Sequence, residues 1–384
     1  MTIKIGLITC WYTDLSVTNY SYNLRDSLEK LPFVLVSVVS SHCFCARSRF
    51  TGVENKLHDK NCQFVNFPPY VYTYPKNPVS RVLNVVLQVS LQFLRGVGYL
   101  AKCKSYDVIH YQQSVYSLGM LPLFPIMLIP TSNKKIITAH EIDKTMWGLK
   151  VLKVIYKQIY NKADRITVHS KEMRESLISI GTDASIITVI PHGAKIPTLL
   201  SKERNEITFF GAPVEGKGVF VLFEALKILK KKGKKILVHF YGIYSASENE
   251  SADVRAEELG VKDCIVWGGR LSEDEFDRKM QESMFTFAIY TKPVHGSSIL
   301  TRAMANATPV IATNIGGTTE YSKDCSILIP PNDPEALADA ILKLMNKPDL
   351  RKELGNAARK HAIEISWDAI AKRTLNVYLD ALTH

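Results

Sequence analysis

Two short stretches of this 384-residue chain are built to receive an anion. GAPVEGKG (Gly211 to Gly218) lies between a hydrophobic strand pattern and a helical one. It offers backbone N–H groups at a helix start together with the cation of Lys217, the requirements of a diphosphate cradle. It lacks the Gly-Lys-Ser/Thr ending of an ATPase phosphate loop. The second stretch is Tyr290 to Glu320, YTKPVHGSSILTRAMANATPVIATNIGGTTE. FTFAIY before it reads as a buried parallel strand, and Ser297 or Ser298 as the N-cap of a helix opening at that strand's carboxyl end. PVIAT is the next strand, with Gly316, Gly317 and Glu320 in the turn after it. Ligands of open α/β sheets gather at that edge.

Four histidines stand where strand patterns end: His110, His140, His169 and His192. A lone edge histidine is commonly a structural hydrogen-bonder. Several converging on one edge make His110 and His140 functional candidates.

The elements that must position these groups alternate throughout. IKIGLIT is a first strand, WYTDLSVTNY a loop, and YNLRDSLEKL a helix. PFVLVSVVSS, CQFVNF, YDVIHYQQ, IITAHEID, DRITVHS and ITVIPHGAK follow as strands, with helices over Trp147 to Tyr160 and KEMRESLISI. Near-continuous apolar strands point to sheets covered on both faces. Val79 to Leu100 carries Arg81, Asn84, Gln88, Gln92 and Arg95 three or four apart, an amphipathic helix expected to dock on the domain core, with a membrane-surface role as the alternative. Val115 to Pro130 is apolar but broken by Pro122 and Pro125, too short for a bilayer. The pattern turns polar at 196–205 and the strand–loop–helix cycle restarts. The expected architecture is α/β, two Rossmann-like doubly wound parallel-sheet domains, with boundaries at 1–196 and 205–364 and a closing helix over 365–384.

Composition excludes disorder, at 46% hydrophobic and 22% charged. Charge is uneven: the net of +11 falls entirely within residues 1–200. A basic half suits an anionic partner, such as an anionic membrane surface or a phosphate-bearing lipid. No nucleic-acid module is recognisable, so nucleic acid is not an expected partner. Seven cysteines without metal or redox spacing, and a first strand directly after Met1, predict a cytoplasmic protein, with peripheral contact to the inner membrane face possible on charge grounds.

ITAHEID, VIPHG, FFGAPVEGKG, AMANATPVIATNIGGTTEY, SILIPPNDPEALADAI and ISWDAIAKR in this order resemble the GT-B retaining glycosyltransferases of family 4. The resemblance implies two facing Rossmann-like domains across a cleft, with the last helix crossing back to the N-terminal domain. It implies a UDP- or GDP-sugar donor as co-substrate, no cofactor, no metal, and a glycan or lipid-phosphate-linked acceptor. His140, Lys217 and Arg302 then stand as catalytic residues. Gly211, Gly218, His192, Gly242, Ser297, Ser298, Gly316, Gly317 and Glu320 line the donor, with Ser16, Thr18 and His110 on the acceptor side.

Five positions depart from the family pattern. Ala212 stands where an arginine is usual, and Val294 and Arg302 stand where two glutamates are usual. Ser16 and Thr18 replace glycines of the first loop. One expectation is an active enzyme in which Arg302, at a helix N-terminus, supplies the cation missing at Ala212. The alternative is a catalytically inactive homologue that binds or regulates another glycosyltransferase.

Overall fold

The computed structural model describes residues 2–9, 15–41, 62–65, 78–113, 123–140, 142, 150–198, 203–242, 246–294, 297–322 and 324–383. They divide into two compact units: Met1–Pro191 with Trp367–His384, and His192–Ser366.

Unit 1 runs β1 (Ile3–Thr9), α1 (Leu15–Leu28), β2 (Val34–Ser41), β3 (Cys62–Val65), α2 (Pro78–Cys103), β4 (Val108–Gln113), α3 (Leu123–Leu128), β5 (Lys134–Ala139), α4 (Lys150–Tyr160), β6 (Arg165–Val168), α5 (Lys171–Ser179) and β7 (Ile187–Val189). Its sheet is parallel and seven-stranded, in the order β3-β2-β1-β4-β5-β6-β7. The order reverses between β1 and β4. Right-handed crossovers therefore put α1 on one face and α2 to α5 on the other. The closing helix α13 (Trp367–Thr383) packs beside α1. The strands are buried almost end to end, as the unbroken apolar runs predict.

Two expectations in this unit need correction. The first helix begins at Leu15, inside what reads as a loop, because Val17, Tyr20, Leu24 and Leu28 recur at helical spacing and are all buried. Ser16 and Thr18 therefore lie on α1 and not on a phosphate-facing loop; their side chains are outside the described residues. The second concerns α2, which docks on the core through Tyr99, Leu100 and Cys103 but leaves Leu87, Phe93, Leu94 and Val97 exposed. The side chains of Arg81, Asn84, Gln88, Gln92 and Arg95 lie outside the described residues.

Unit 2 runs β8 (Glu206–Phe210), α6 (Val219–Lys231), β9 (Val238–Tyr241), α7 (Ala246–Glu258), β10 (Ile265–Gly269), α8 (Glu273–Glu282), β11 (Ser283–Ala288), α9 (Ser298–Ala305), β12 (Val310–Thr313), α10 (Gly317–Ser322), β13 (Ser326–Ile329), α11 (Pro334–Asn346) and α12 (Pro348–Glu364). Its parallel sheet has the order β10-β9-β8-β11-β12-β13, so the order reverses between β8 and β11. Phe209, Phe223, Phe240, Phe285 and Phe287 fill the centre of its core. The loops leaving β8 and β11 flank the point of reversal, where doubly wound sheets leave a crevice.

Candidate functional site

In unit 2 the strand ends are brought together by glycines. Gly211 N–H donates to the Tyr241 carbonyl at 2.8 Å, and Gly242 N–H to the Gly269 carbonyl at 2.9 Å. A Cβ on Gly242 would sit 2.7 Å from the Gly211 carbonyl oxygen, so no other residue fits there without displacing backbone. β8, β9 and β10 thus end side by side. The loop then makes one 3-10 turn, Glu215–Lys217, and enters α6 through Gly218 at φ 73°. A Cβ on Gly218 would collide with the Ile289 carbonyl oxygen, which couples this loop to the one leaving β11.

Lys217 reaches back across the start of its own loop. Its Nζ lies 3.3 Å from where a Cβ on Gly211 would be, and Gly211 at φ 128° leaves that space free. It has no hydrogen-bond or ion-pair partner among the described residues. Burial holds its ammonium below the ordinary lysine pKa. A desolvated cation with no counter-ion is costly unless an anion joins it.

The loop after β11 is tied to the turn after β12. Ser297 caps α9, accepting from Leu300 N–H at 3.1 Å, and pairs with Tyr290 Oη at 2.7 Å. Its oxygen is therefore engaged in the cap, whereas Ser298 opens the helix and is exposed. Gly317 N–H donates to the Val294 carbonyl at 2.8 Å, and Gly316 at φ 58° packs against that same carbonyl. Val294 thus contributes backbone to the turn. Gly317 begins α10, a short helix where the sequence suggests only a turn, and Glu320 is exposed on it. Gly296 lies outside the described residues.

Arg302 is not at a helix N-terminus. It falls in the last turn of α9, and its guanidinium turns to α8. Asp277 Oδ1 accepts from Nε at 3.1 Å and Nη2 at 2.7 Å, and Glu273 accepts from Nη1 at 3.0 Å. The guanidinium also covers the Phe276 ring, 3.8 Å from its centroid. Both charge and plane are satisfied within the protein, so Arg302 does not stand free to replace the cation absent at Ala212.

His192 belongs to unit 2, with Nδ1 3.0 Å from the Gly193 carbonyl, and burial lowers its pKa.

In unit 1 the histidines on β4 and directly after β5 and β6 form one chain of polar contacts. His110 Nδ1 lies 2.6 Å from Tyr378 Oη on α13, and its Nε2 lies 2.7 Å from Thr138 Oγ1 and 3.2 Å from Gln112 Nε2. Gln112 Oε1 lies 2.8 Å from His140 Nε2, and His140 Nδ1 lies 2.9 Å from His169 Nε2. His169 Nδ1 ends the chain at the Ile190 carbonyl, 3.1 Å away. Tyr20 of α1 packs its ring edge-on to His140 at 4.6 Å between centroids, and against Trp367 at 4.9 Å. His140 therefore has both ring nitrogens engaged by protein groups. His110 is fully buried, which pushes its pKa down to about 3 and keeps it neutral. Gln112, Thr138 and Tyr378 are members of this chain that sequence reading missed; the position of Gln112, two residues after His110, puts it on the same strand face. Among the described residues no cluster of His, Cys, Asp and Glu could hold a metal ion.

Comparison with known proteins places these features in context. The model of the Glycosyltransferase Family 4 matches residues 48–196, and that of the glycosyl transferases group 1 matches residues 194–361. MMP alpha-(1->4)-mannosyltransferase of Mycolicibacterium hassiacum is 25% identical over 316 residues, spanning 75% of this chain and 74% of that protein. Phosphatidyl-myo-inositol mannosyltransferase of Mycobacterium leprae is 24% identical over 290 residues, 71% of this chain and 73% of that one. The crystal structure of Anabaena HepE in complex with UDP superposes with a TM-score of 0.70 at 14% identity, covering 99% of this chain and all of that one (100%).

Proposed function

The chain belongs to the family 4, group 1 glycosyltransferases of GT-B fold, and from that premise we propose that unit 2 binds a UDP- or GDP-sugar whose glycosyl group is transferred with retention to a lipid-phosphate-linked or glycan acceptor. The observation that carries the reading is Lys217, a half-buried cation with no hydrogen-bond or ion-pair partner among the described residues, at the switch point of the unit 2 sheet. A diphosphate there would be met by the Lys217 ammonium and by backbone N–H groups where α6 begins.

The chemistry asked of the protein is charge stabilisation. As the bond from the anomeric carbon to the diphosphate oxygen breaks, negative charge grows on the leaving nucleoside diphosphate. Lys217 stabilises that charge more than it stabilises the ground state. The acceptor hydroxyl forms the new bond on the face the diphosphate leaves, and its proton passes to the departing phosphate oxygen. Both relatives are mannosyltransferases by name, and that of Mycobacterium leprae is named for phosphatidyl-myo-inositol, which supports an acceptor bearing phosphate.

A second reading is favoured by one observation. Val294 offers only backbone, and Arg302 is neutralised by α8, so a nucleotide could bind without turnover. Calorimetry with UDP and GDP, on wild type and Lys217→Ala, tests the site. Incubation with a panel of nucleotide sugars and phosphate-bearing acceptors tests the transfer. Absence of nucleotide binding by wild type sinks the donor site; binding without transfer or hydrolysis selects the second reading.

A further inference from the structure

The loop leaving β11 is tied to the turn that carries Lys217. Thr291 N–H donates to the Gly216 carbonyl at 3.3 Å, and its hydroxyl donates to the Glu215 carbonyl at 3.3 Å. Both acceptors belong to the 3-10 turn Glu215–Lys217. Two residues before Thr291, the Ile289 carbonyl fills the space that Gly218 leaves free. The chain therefore passes beside the turn, and its next residue is Lys292, one Cα–Cα step of about 3.8 Å further on. Lys292 is exposed and has no hydrogen-bond or ion-pair partner among the described residues. Glu215, the acid of the turn, is exposed and pairs with neither lysine.

Charge calls for such a lysine. A terminal phosphate carries about −1.5 to −2 near pH 7, and the inner phosphate of a nucleoside diphosphate adds one more. Against that anion the start of α6 sets about half a positive charge, and Lys217 a whole one. Ala212 contributes none, and Arg302 is held by Asp277 and Glu273. Roughly one negative charge is left unmet. The flexible four-carbon stem of a lysine lets its ammonium meet a phosphate oxygen from an adjoining loop.

We propose that Lys292 is the second cation of the diphosphate site, with Thr291 holding its loop against the turn that bears Lys217. The assignment rests on unit 2 binding a nucleoside diphosphate and adds a division of roles to it. Lys217 acts from a half-buried position and Lys292 from solvent, where salt screens a charge far more.

The test is UDP calorimetry on the full chain at low and high salt. Lys292→Ala should weaken UDP about fivefold at low salt, with Lys292→Arg restoring it. At high salt that difference should fall below about twofold, whereas the loss in Lys217→Met persists. The unfolding midpoint of Lys292→Ala should match wild type, because the side chain has no polar partner to lose. Thr291→Val should cost a similar factor that Thr291→Ser relieves. Adding Lys292→Ala to Thr291→Val should cost little more, since both act through one ammonium. Wild-type UDP affinity in Lys292→Ala at low salt, or an equal loss at both salt levels, overturns the proposal. Additive losses in the double variant overturn the part given to Thr291. If wild type binds neither UDP nor GDP, the donor site falls and Lys292 with it. If Lys217→Met loses UDP while Lys292→Ala keeps it, the second cation alone falls.

Discussion

The hydroxyl of Tyr378 on α13 lies 2.6 Å from Nδ1 of His110 on β4, 268 residues earlier in the chain. Both groups are buried, so neither has water as a substitute partner. This one contact fixes α13 to the sheet more firmly than the exposed pairs Lys30–Asp368 and Arg165–Asp380, each worth little in water. Tyr378→Phe should therefore lower the unfolding free energy by about 1–3 kcal/mol in urea titration. A change below the noise of that measurement would mean His110 finds another partner.

His110 also predicts an acid limb of stability. Its folded pKa, about 3, lies below the unfolded value of 6.5. Between those values the unfolded chain binds the extra proton, so stability rises with pH there and is fully present above 6.5. On acidification the loss should approach, at most, about 1.4 kcal/mol per pH unit. Urea unfolding at pH 7 and pH 5 checks this, and His110→Gln should flatten the difference.

Lys217 couples affinity to pH in the opposite sense. Its ammonium is held below the ordinary value of 10.5 by burial, and a bound diphosphate would restore it. UDP affinity should then fall as pH rises toward 10.5, and sooner than for an exposed lysine. Lys217→Met should weaken UDP binding about tenfold to hundredfold, the worth of a charge-assisted hydrogen bond. The same change removes a half-buried charge with no counter-ion among the described residues, so the unfolding midpoint should hold or rise. Weaker binding with a collapsed midpoint would assign Lys217 a structural role instead.

Arg302 should behave as a structural residue. With its guanidinium held by Asp277 and Glu273 and covering Phe276, Arg302→Ala should cost about 1–3 kcal/mol of stability. UDP affinity should stay within about threefold, a change too small to reflect a lost charge-assisted bond. A hundredfold loss of UDP binding at unchanged stability would restore Arg302 to the donor site.

Gly218→Ala tests the coupling of the two loops. The residue sits at φ 73°, and an added methyl would meet the Ile289 carbonyl oxygen. A loss of at least about 1 kcal/mol is expected, with nucleotide binding reduced in parallel. Gly216→Ala, where an added methyl meets nothing within 4 Å, is the control.

The alternation of strand and helix was legible because strand cores such as Ile5, Leu7 and Ile8 are apolar without interruption, and α8 announces itself through Ser272 and Glu275. The glycines of GAPVEGKG were legible as a turn between strand and helix, and Gly242 as a strand end. What sequence could not give were choices made by distant partners. Arg302 reads as a free cation until Asp277 is seen beside it, and the apolar face of α2 reads as buried until its neighbours are known to be α3 and the sheet. His140 reads as an available imidazole, yet Gln112 and His169 hold both its nitrogens. Pairings across a sheet edge leave no period in a linear sequence.

Placement of Trp367–His384 with Met1–Pro191 has a consequence for synthesis. On a ribosome, the first unit to emerge must wait while all of His192–Ser366 is made before Trp367 can meet Tyr20 and Tyr378 can meet His110. During that interval the α1 face of its sheet is bare of α13, and the second unit, whose residues are continuous, can complete itself first. The order of translation and the order of completion are reversed, and a nascent chain stalled before residue 367 would be the species for chaperones to hold.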